Sequence, residues 1–278
     1  MFYLYTLLVF ILGLIVGSFL NVVILRGGIG RGKRSRSMCL SCAHQLSARD
    51  LLPVASFIAL KGRCRYCKAK ISWQYLIVEV LTGGLFVLSF LNVYDIQPVG
   101  LAIFEGITIV AASAILVVIF FYDLRHKIIN NLPVMLLSGV LIFRILIIDI
   151  GYFDSTTLLF DLLAGPLAAL PFFFIWLISG GRWMGLGDAK LMLPLGWLVG
   201  YAFWLPTVVL GFWLGAAFVL IVYVIKIVGQ GANWNYSRKL IKFGFKTELP
   251  FGPFLIASAL ISLFFNFDVL SAVSGFLM

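Results

Sequence analysis

Predominantly apolar stretches long enough to cross a bilayer recur eight times in this sequence, at approximately 2–25, 75–94, 99–122, 132–149, 157–179, 189–205, 207–228 and 251–276. Crossing about 30 Å of hydrocarbon takes roughly 20 helical residues. The expected fold is therefore an all-α polytopic membrane protein with about eight transmembrane helices. Composition agrees: 62% of the 278 residues are hydrophobic and 12% charged, with a mean hydropathy of +1.10. A soluble domain normally carries about 25% charged residues, so an ordinary soluble globular protein is excluded. The start MFYLYTLL lacks a basic n-region, and no cleavable signal peptide is expected.

The formal charge of +10 reads as membrane topology, with no nucleic-acid partner implied. Eleven Lys and Arg lie in 26–74, two in 123–131, two in 180–190 and five in 226–250; the last, Arg144, falls in the fourth span. The other connections carry none, and Asp95, Asp149, Asp154 and Asp268 lie in or near those connections and the C-terminal end. Positive-inside sorting then makes every second loop cytoplasmic and puts both termini outside. The expected organisation is a first helix at 1–25, a cytoplasmic domain at 26–74 and a membrane-embedded domain of about seven helices at 75–278.

Within the large cytoplasmic loop stand two CxxC pairs, Cys39-Leu-Ser-Cys42 and Cys64-Arg-Tyr-Cys67, separated by 21 residues. Each pair can offer two thiolates from one tight turn, and two such knuckles complete a tetrahedral four-sulfur zinc site. Two disulfides are the alternative, disfavoured because cytoplasmic thiols stay reduced. A closed four-cysteine site has no open coordination position, so the zinc is expected to be structural, folding a loop with little apolar core of its own. His44 is expected to be solvent-exposed and not a ligand.

Two carboxylates stand at the cytoplasmic membrane border: Asp123 in FFYDLRHKIINN and Asp188 in GLGDAKL. Brought together at a partly desolvated level, they cannot both ionise readily and share a proton. Such a pair can activate water and protonate a leaving amine, which is aspartic protease chemistry. Gly185 and Gly187 leave room there for an extended peptide backbone. The alternative is structural: Asp188 caps a helix N-terminus and Asp123 pairs with Arg125 or Lys127. Lys190 is either a source of local positive potential or an interfacial anchor. Glu79, Glu105 and Asp161 fall inside spans, where ionisable groups are costly. Glu79 lies near the cytoplasmic end and is open between partner of a loop arginine and site residue; Glu105 and Asp161 read as structural.

Taken in order, GSFLNVVILR (17–26), SMCLSC with LLPVASFIALKGRCRYC, ISWQYLIVEVLTG (71–83), FYDLRHKIINN (121–131), MGLGDAKL (184–191) and LPFGPFLIASAL (249–260) resemble the type IV prepilin peptidases of the GxGD class of membrane aspartic proteases. The resemblance implies that Asp123 and Asp188 are the catalytic pair. It also implies that the substrate is a type IV prepilin or pseudopilin whose basic leader is cut off after a glycine at the cytoplasmic face of the inner membrane. Glycine there makes local unwinding easier by about 1 kcal/mol relative to alanine. Members with the cysteine domain are often bifunctional and methylate the new N-terminal amine with S-adenosylmethionine; no glycine-rich fingerprint for that cofactor is present, so its contacts are unassigned. Three departures stand out: Ile129-Asn130-Asn131 where Ile-Pro-Asp or Ile-Pro-Asn is common, Leu40 where Pro is common, and Gln74-Tyr75-Leu76 for Arg-Tyr-Pro. Two alternatives accompany this reading: a peptidase without methylation, and a non-enzymatic zinc-stabilised scaffold or transporter using Glu105 and Asp161. Arg238, Lys239, Lys242 and Lys246 read as a solvated positive-inside loop, with anionic headgroups as the other possibility.

Overall fold

In the computed structural model, residues 1–26, 37–39, 41–96, 98–152, 155–231 and 250–267 are described. Arg238, Lys239, Lys242 and Lys246 lie outside them. The chain is helical almost throughout: α1 (Phe2–Arg26), a 3-10 turn (Ala48–Leu51), α2 (Ala55–Ala59), α3 (Trp73–Val93), α4 (Val99–His126), α5 (Asn131–Tyr152), α6 (Ser155–Ser179), α7 (Leu186–Val199), α8 (Trp204–Gly231) and α9 (Gly252–Phe265). Among the described residues a helix lies in each of the eight apolar runs, and six of these helices are long and apolar enough to span a membrane. The remaining two, α7 and α9, have 14 residues each in the described chain, about 21 Å of helix. One boundary differs from expectation. The sequence placed the break between the sixth and seventh spans at Pro206, but the chain turns at Gly200 (φ 75) and Pro206 sits in the first turn of α8. A proline there forfeits no hydrogen bond, because first-turn N–H groups have no intrahelical acceptor.

Two compact units emerge, Met1–Phe121 and Tyr122–Met278. In the first, α1 lies against α3. Gly13 and Gly17 are spaced for close helix approach: a Cβ on either would come within 2.7 Å of the Gly83 Cα or 2.8 Å of the Glu79 Cα. Without a hydrophobic drive between helices in lipid, such backbone proximity supplies the van der Waals contact. Asn21 adds a hydrogen bond, donating from Nδ2 to the Tyr75 carbonyl at 3.1 Å.

In the second unit α7 packs against α5, α6, α8 and α9, burying Leu191, Met192, Leu195 and Leu198. A backbone defect in α6 is repaired from α7. Pro166 has no N–H to give the Leu162 carbonyl, and the indole of Trp197 donates to that carbonyl at 2.9 Å instead. A carbonyl left bare in hydrocarbon would cost several kcal/mol. Asp161, expected to be structural, accepts from the Tyr201 N–H at 3.2 Å and holds the α7–α8 turn.

Candidate active site and metal centre

The two CxxC pairs fold as copies of one knuckle. Cys39 N–H donates to His44 and Ala43 N–H to Cys39; Cys64 N–H donates to Ala69 and Lys68 N–H to Cys64. The residue four after each leading cysteine takes positive φ, Ala43 at 55° and Lys68 at 59°. An antiparallel bridge closes each loop at the same register, Met38 with Gln45 and Arg63 with Lys70. The four sulfurs lie within 4.8 Å of one another, and Cys39 Sγ is 3.8 Å from Cys67 Sγ. Zinc–sulfur bonds of about 2.3 Å in a tetrahedron put sulfurs about 3.8 Å apart, so the donor set fits a closed site. The N–H groups of Cys42 and then Ser41 pull the Cys39 thiol down to about 6, while against the Ala69 N–H desolvation and the neighbouring cysteines push Cys67 up to about 11. His44 is exposed and stacks on Tyr66 with centroids 3.7 Å apart. Asp50 links the 3-10 turn to the second knuckle through Arg65 Nε at 2.6 Å and Tyr66 Oη at 3.3 Å. Burial works against its charge, yet Arg65 and Ser47 hold Asp50 at about 2.

Glu79 belongs to this unit. Its side chain is 7% exposed, and Oε2 accepts the Val54 N–H at 2.8 Å. Val54 has φ 58 and opens α2, so Glu79 holds a strained backbone turn, and among the described residues no arginine pairs with it.

Asp123 and Asp188 both lie in the second unit. Asp123 is in the last turn of α4 and 4% exposed; Asp188 is at the third position of α7 and half-buried. The two carboxylates are within electrostatic reach of each other. Asp123 makes no ion pair with Arg125 or Lys127, both exposed among the described residues. Asp188 stands in the first turn of α7, where an acid favours the helix N-terminus, and its own N–H donates to the Gly185 carbonyl at 3.2 Å.

Between the motifs runs a chain of close contacts that sequence reasoning did not find. Gly187 stands against Ile129, whose Cβ would be 3.2 Å from a Cβ at that glycine. Ile129 reaches on to Gly252, and a Cβ at Gly252 would be 2.5 Å from Asp123 Oδ2 and 3.4 Å from Ile129 Cδ1. Asp123 Oδ2 has no hydrogen-bond partner in the described protein. Asn130 caps α5, its Oδ1 accepting the Leu132 N–H at 3.1 Å. It thereby starts the helix without the proline. Asn131 Oδ1 accepts from Lys190 Nζ at 3.2 Å, so Lys190 ties the two aspartate motifs together. Gly185 is exposed and lets α7 begin one turn before Asp188.

Comparison with known proteins decides the relationship. Residues 11–93 match the family described as Bacterial Peptidase A24 N-terminal domain, and residues 110–220 match the Type IV leader peptidase family. The chain is 30% identical to the prepilin leader peptidase/N-methyltransferase of Aeromonas salmonicida (strain A449), over 94% of this chain and 91% of that protein. This chain belongs to the type IV leader peptidase family. A second leader peptidase/N-methyltransferase, from Burkholderia pseudomallei (strain K96243), is 31% identical over 92% of this chain and 84% of its own. A third, from Myxococcus xanthus (strain DK1622), is 34% identical over 69% and 56%. No solved structure gives a significant match. The protein is thus a membrane-embedded peptidase of the prepilin-processing class, with a cysteine cluster suited to a metal ion.

Proposed function

We propose that this leader peptidase is an aspartic endopeptidase in which Asp123 and Asp188 remove the basic leader of a type IV prepilin or pseudopilin after a glycine, and that it then methylates the freed N-terminus. The observation that carries the reading is the placement of the two carboxylates in one unit within electrostatic reach of each other, one of them nearly inaccessible, with Gly187 and Gly252 packed through Ile129 between their motifs. One carboxylate takes a proton from water as its oxygen adds to the scissile carbonyl carbon. The other, protonated, delivers a proton to the amide nitrogen as the carbon–nitrogen bond breaks. The products are a leader carboxylate and a new N-terminal amine. Gly185 and Gly187 receive the unwound stretch around the scissile bond, and Lys190, held by Asn131, fixes α7 against the start of α5.

The chemistry belongs to the membrane-embedded part, 75–278, and 26–74 is a zinc-stapled cytoplasmic domain. Charge sorting supports an inner-membrane protein with both termini outside and the aspartates at the cytoplasmic face. When bound, S-adenosylmethionine supplies an electrophilic methyl group to the amine. Support for this second activity is the N-methyltransferase in the names of the relatives.

Purified protein in lipid, given a prepilin with its leader intact and S-adenosylmethionine, is expected to yield a product lighter by the leader and heavier by one methyl group in mass spectrometry. Intact substrate would refute the cleavage, and an unmethylated product would refute the methyl transfer. For the knuckles, elemental analysis is expected to give one zinc per chain. Cys64→Ser should lose it and open the segment 37–71 to limited proteolysis, because the metal supplies the folding energy the small core lacks. An unchanged zinc content in that variant would overturn the four-sulfur site.

A further inference from the structure

Beside the second knuckle lies an open cavity of about 600 Å³ lined by Lys61, Arg63 and Lys70 together with Phe57, Trp73 and Leu76. The knuckle forces two of these cations together. Cys64 N–H donates to Ala69 at 2.8 Å and Ile71 N–H to Gly62 at 2.8 Å, which makes Arg63 and Lys70 a directly opposed, non-hydrogen-bonded pair. In that geometry Cβ atoms are roughly 5 Å apart on one face, and like charges there are destabilising. The knuckle itself has no need of them: Met38 and Gln45 occupy the same register in the other copy. Lys61 adds a third charge from a left-handed backbone, φ 50, which a lysine adopts only at a cost. No carboxylate pairs with any of the three among the described residues, and Asp50 of the same segment is committed to Arg65.

The rest of the lining carries no charge. Trp73 opens the membrane-spanning α3, is 68% exposed, and lies 5.3 Å from the Phe57 ring. Cations and aromatic rings lining one cavity at the start of a membrane-spanning helix match a ligand with an anionic head and an apolar tail. We propose that this cavity binds the headgroup of an anionic phospholipid, its phosphate between Arg63 and Lys70 and its acyl chains beside Trp73 and Leu76. The lining contains no acidic residue. A zwitterionic lipid would find no counter-charge for its ammonium group, and a basic leader peptide would be repelled. The lipid cancels the repulsion between the opposed cations and fastens the second knuckle to the membrane surface.

The test is native mass spectrometry of the full chain released from vesicles of phosphatidylglycerol and phosphatidylcholine. Wild type should retain phosphatidylglycerol in preference to phosphatidylcholine. The Arg63→Gln/Lys70→Gln variant should lose about 30-fold in that preference, two charges at roughly fivefold each. Arg49→Gln/Lys68→Gln, which removes equal charge from residues outside the cavity, should keep the preference, as should the exchange Arg63→Lys/Lys70→Arg. The exchange also serves if the glutamine variant does not fold. The proposal is overturned if the two glutamine variants bind lipid equally. It is likewise overturned if inorganic phosphate occupies the protein as well in phosphatidylcholine as in phosphatidylglycerol, or if S-adenosylmethionine displaces the retained lipid.

Discussion

Asp123→Asn and Asp188→Asn are each expected to lower prepilin cleavage by about 10³-fold or more, the scale of a lost general acid or base. The double variant should lose no more than the worse single variant, because groups that share one proton and act as a unit are not additive. Two independent structural roles would instead multiply. Asparagine keeps the size of each side chain, and Asp123 Oδ2 has no hydrogen bond to forfeit. Thermal unfolding should therefore shift by only a few degrees. At Asp188 the substitution leaves the backbone hydrogen bond from its N–H to the Gly185 carbonyl, 3.2 Å, untouched, so the start of α7 survives. The measurement is product mass over time, with the melting curve of each variant alongside. Cleavage that persists in either folded variant would remove the aspartate pair from the mechanism.

Hydropathy made most of the fold legible, because a lipid solvent imposes one length and one composition on every span. The helices α1, α3, α4, α5 and α6 begin and end within a few residues of the apolar runs that suggested them. Legibility failed where length alone cannot speak. Pro206 looked like a helix boundary, yet the turn belongs to Gly200, whose positive φ is invisible in a hydropathy profile. The exchange between Pro166 and Trp197 was equally hidden: the missing N–H is a local fact, and the indole that replaces it comes from another helix.

At the site the pattern is similar. The aspartates and cysteines were candidates by residue type and spacing alone, since proton transfer and metal ligation require those atoms, and the structure brings the four sulfurs within 4.8 Å of one another. Ile129, Asn131 and Gly252 carry no such chemistry; they matter only through what stands next to them. The signal for Gly252 was present in LPFGPF, a stretch that resembled the family without suggesting a role. Asn130 and Asn131 looked like the loss of a proline, but one caps α5 and the other binds Lys190.

Gly252 supports the second large expectation: Gly252→Ala should lower the turnover number about 10²-fold while leaving substrate affinity nearly unchanged. A methyl group there would stand 2.5 Å from Asp123 Oδ2, well inside van der Waals contact. On another side the methyl would be in ordinary contact with Ile129 Cδ1 at 3.4 Å. Either α9 slides or the Asp123 carboxylate swings away from Asp188. Overpacking of this kind costs about 1–3 kcal/mol, whereas misplacing a reacting group by about 1 Å costs on the order of 10² in rate. Activity should thus fall much further than stability. Gly139→Ala supplies the contrast, since a Cβ at that position in α5 meets nothing within 4 Å and both activity and folding should be retained. Gly187→Ala should fall between them: its methyl would press on the Ile129 side chain at 3.2 Å, which can yield by a few tenths of an ångström. In an Asp123→Asn background the Gly252 substitution should add almost no further loss, because the group it displaces no longer works. A Gly252→Ala enzyme that turns over within threefold of wild type would show that Asp123 does not depend on α9 for its place.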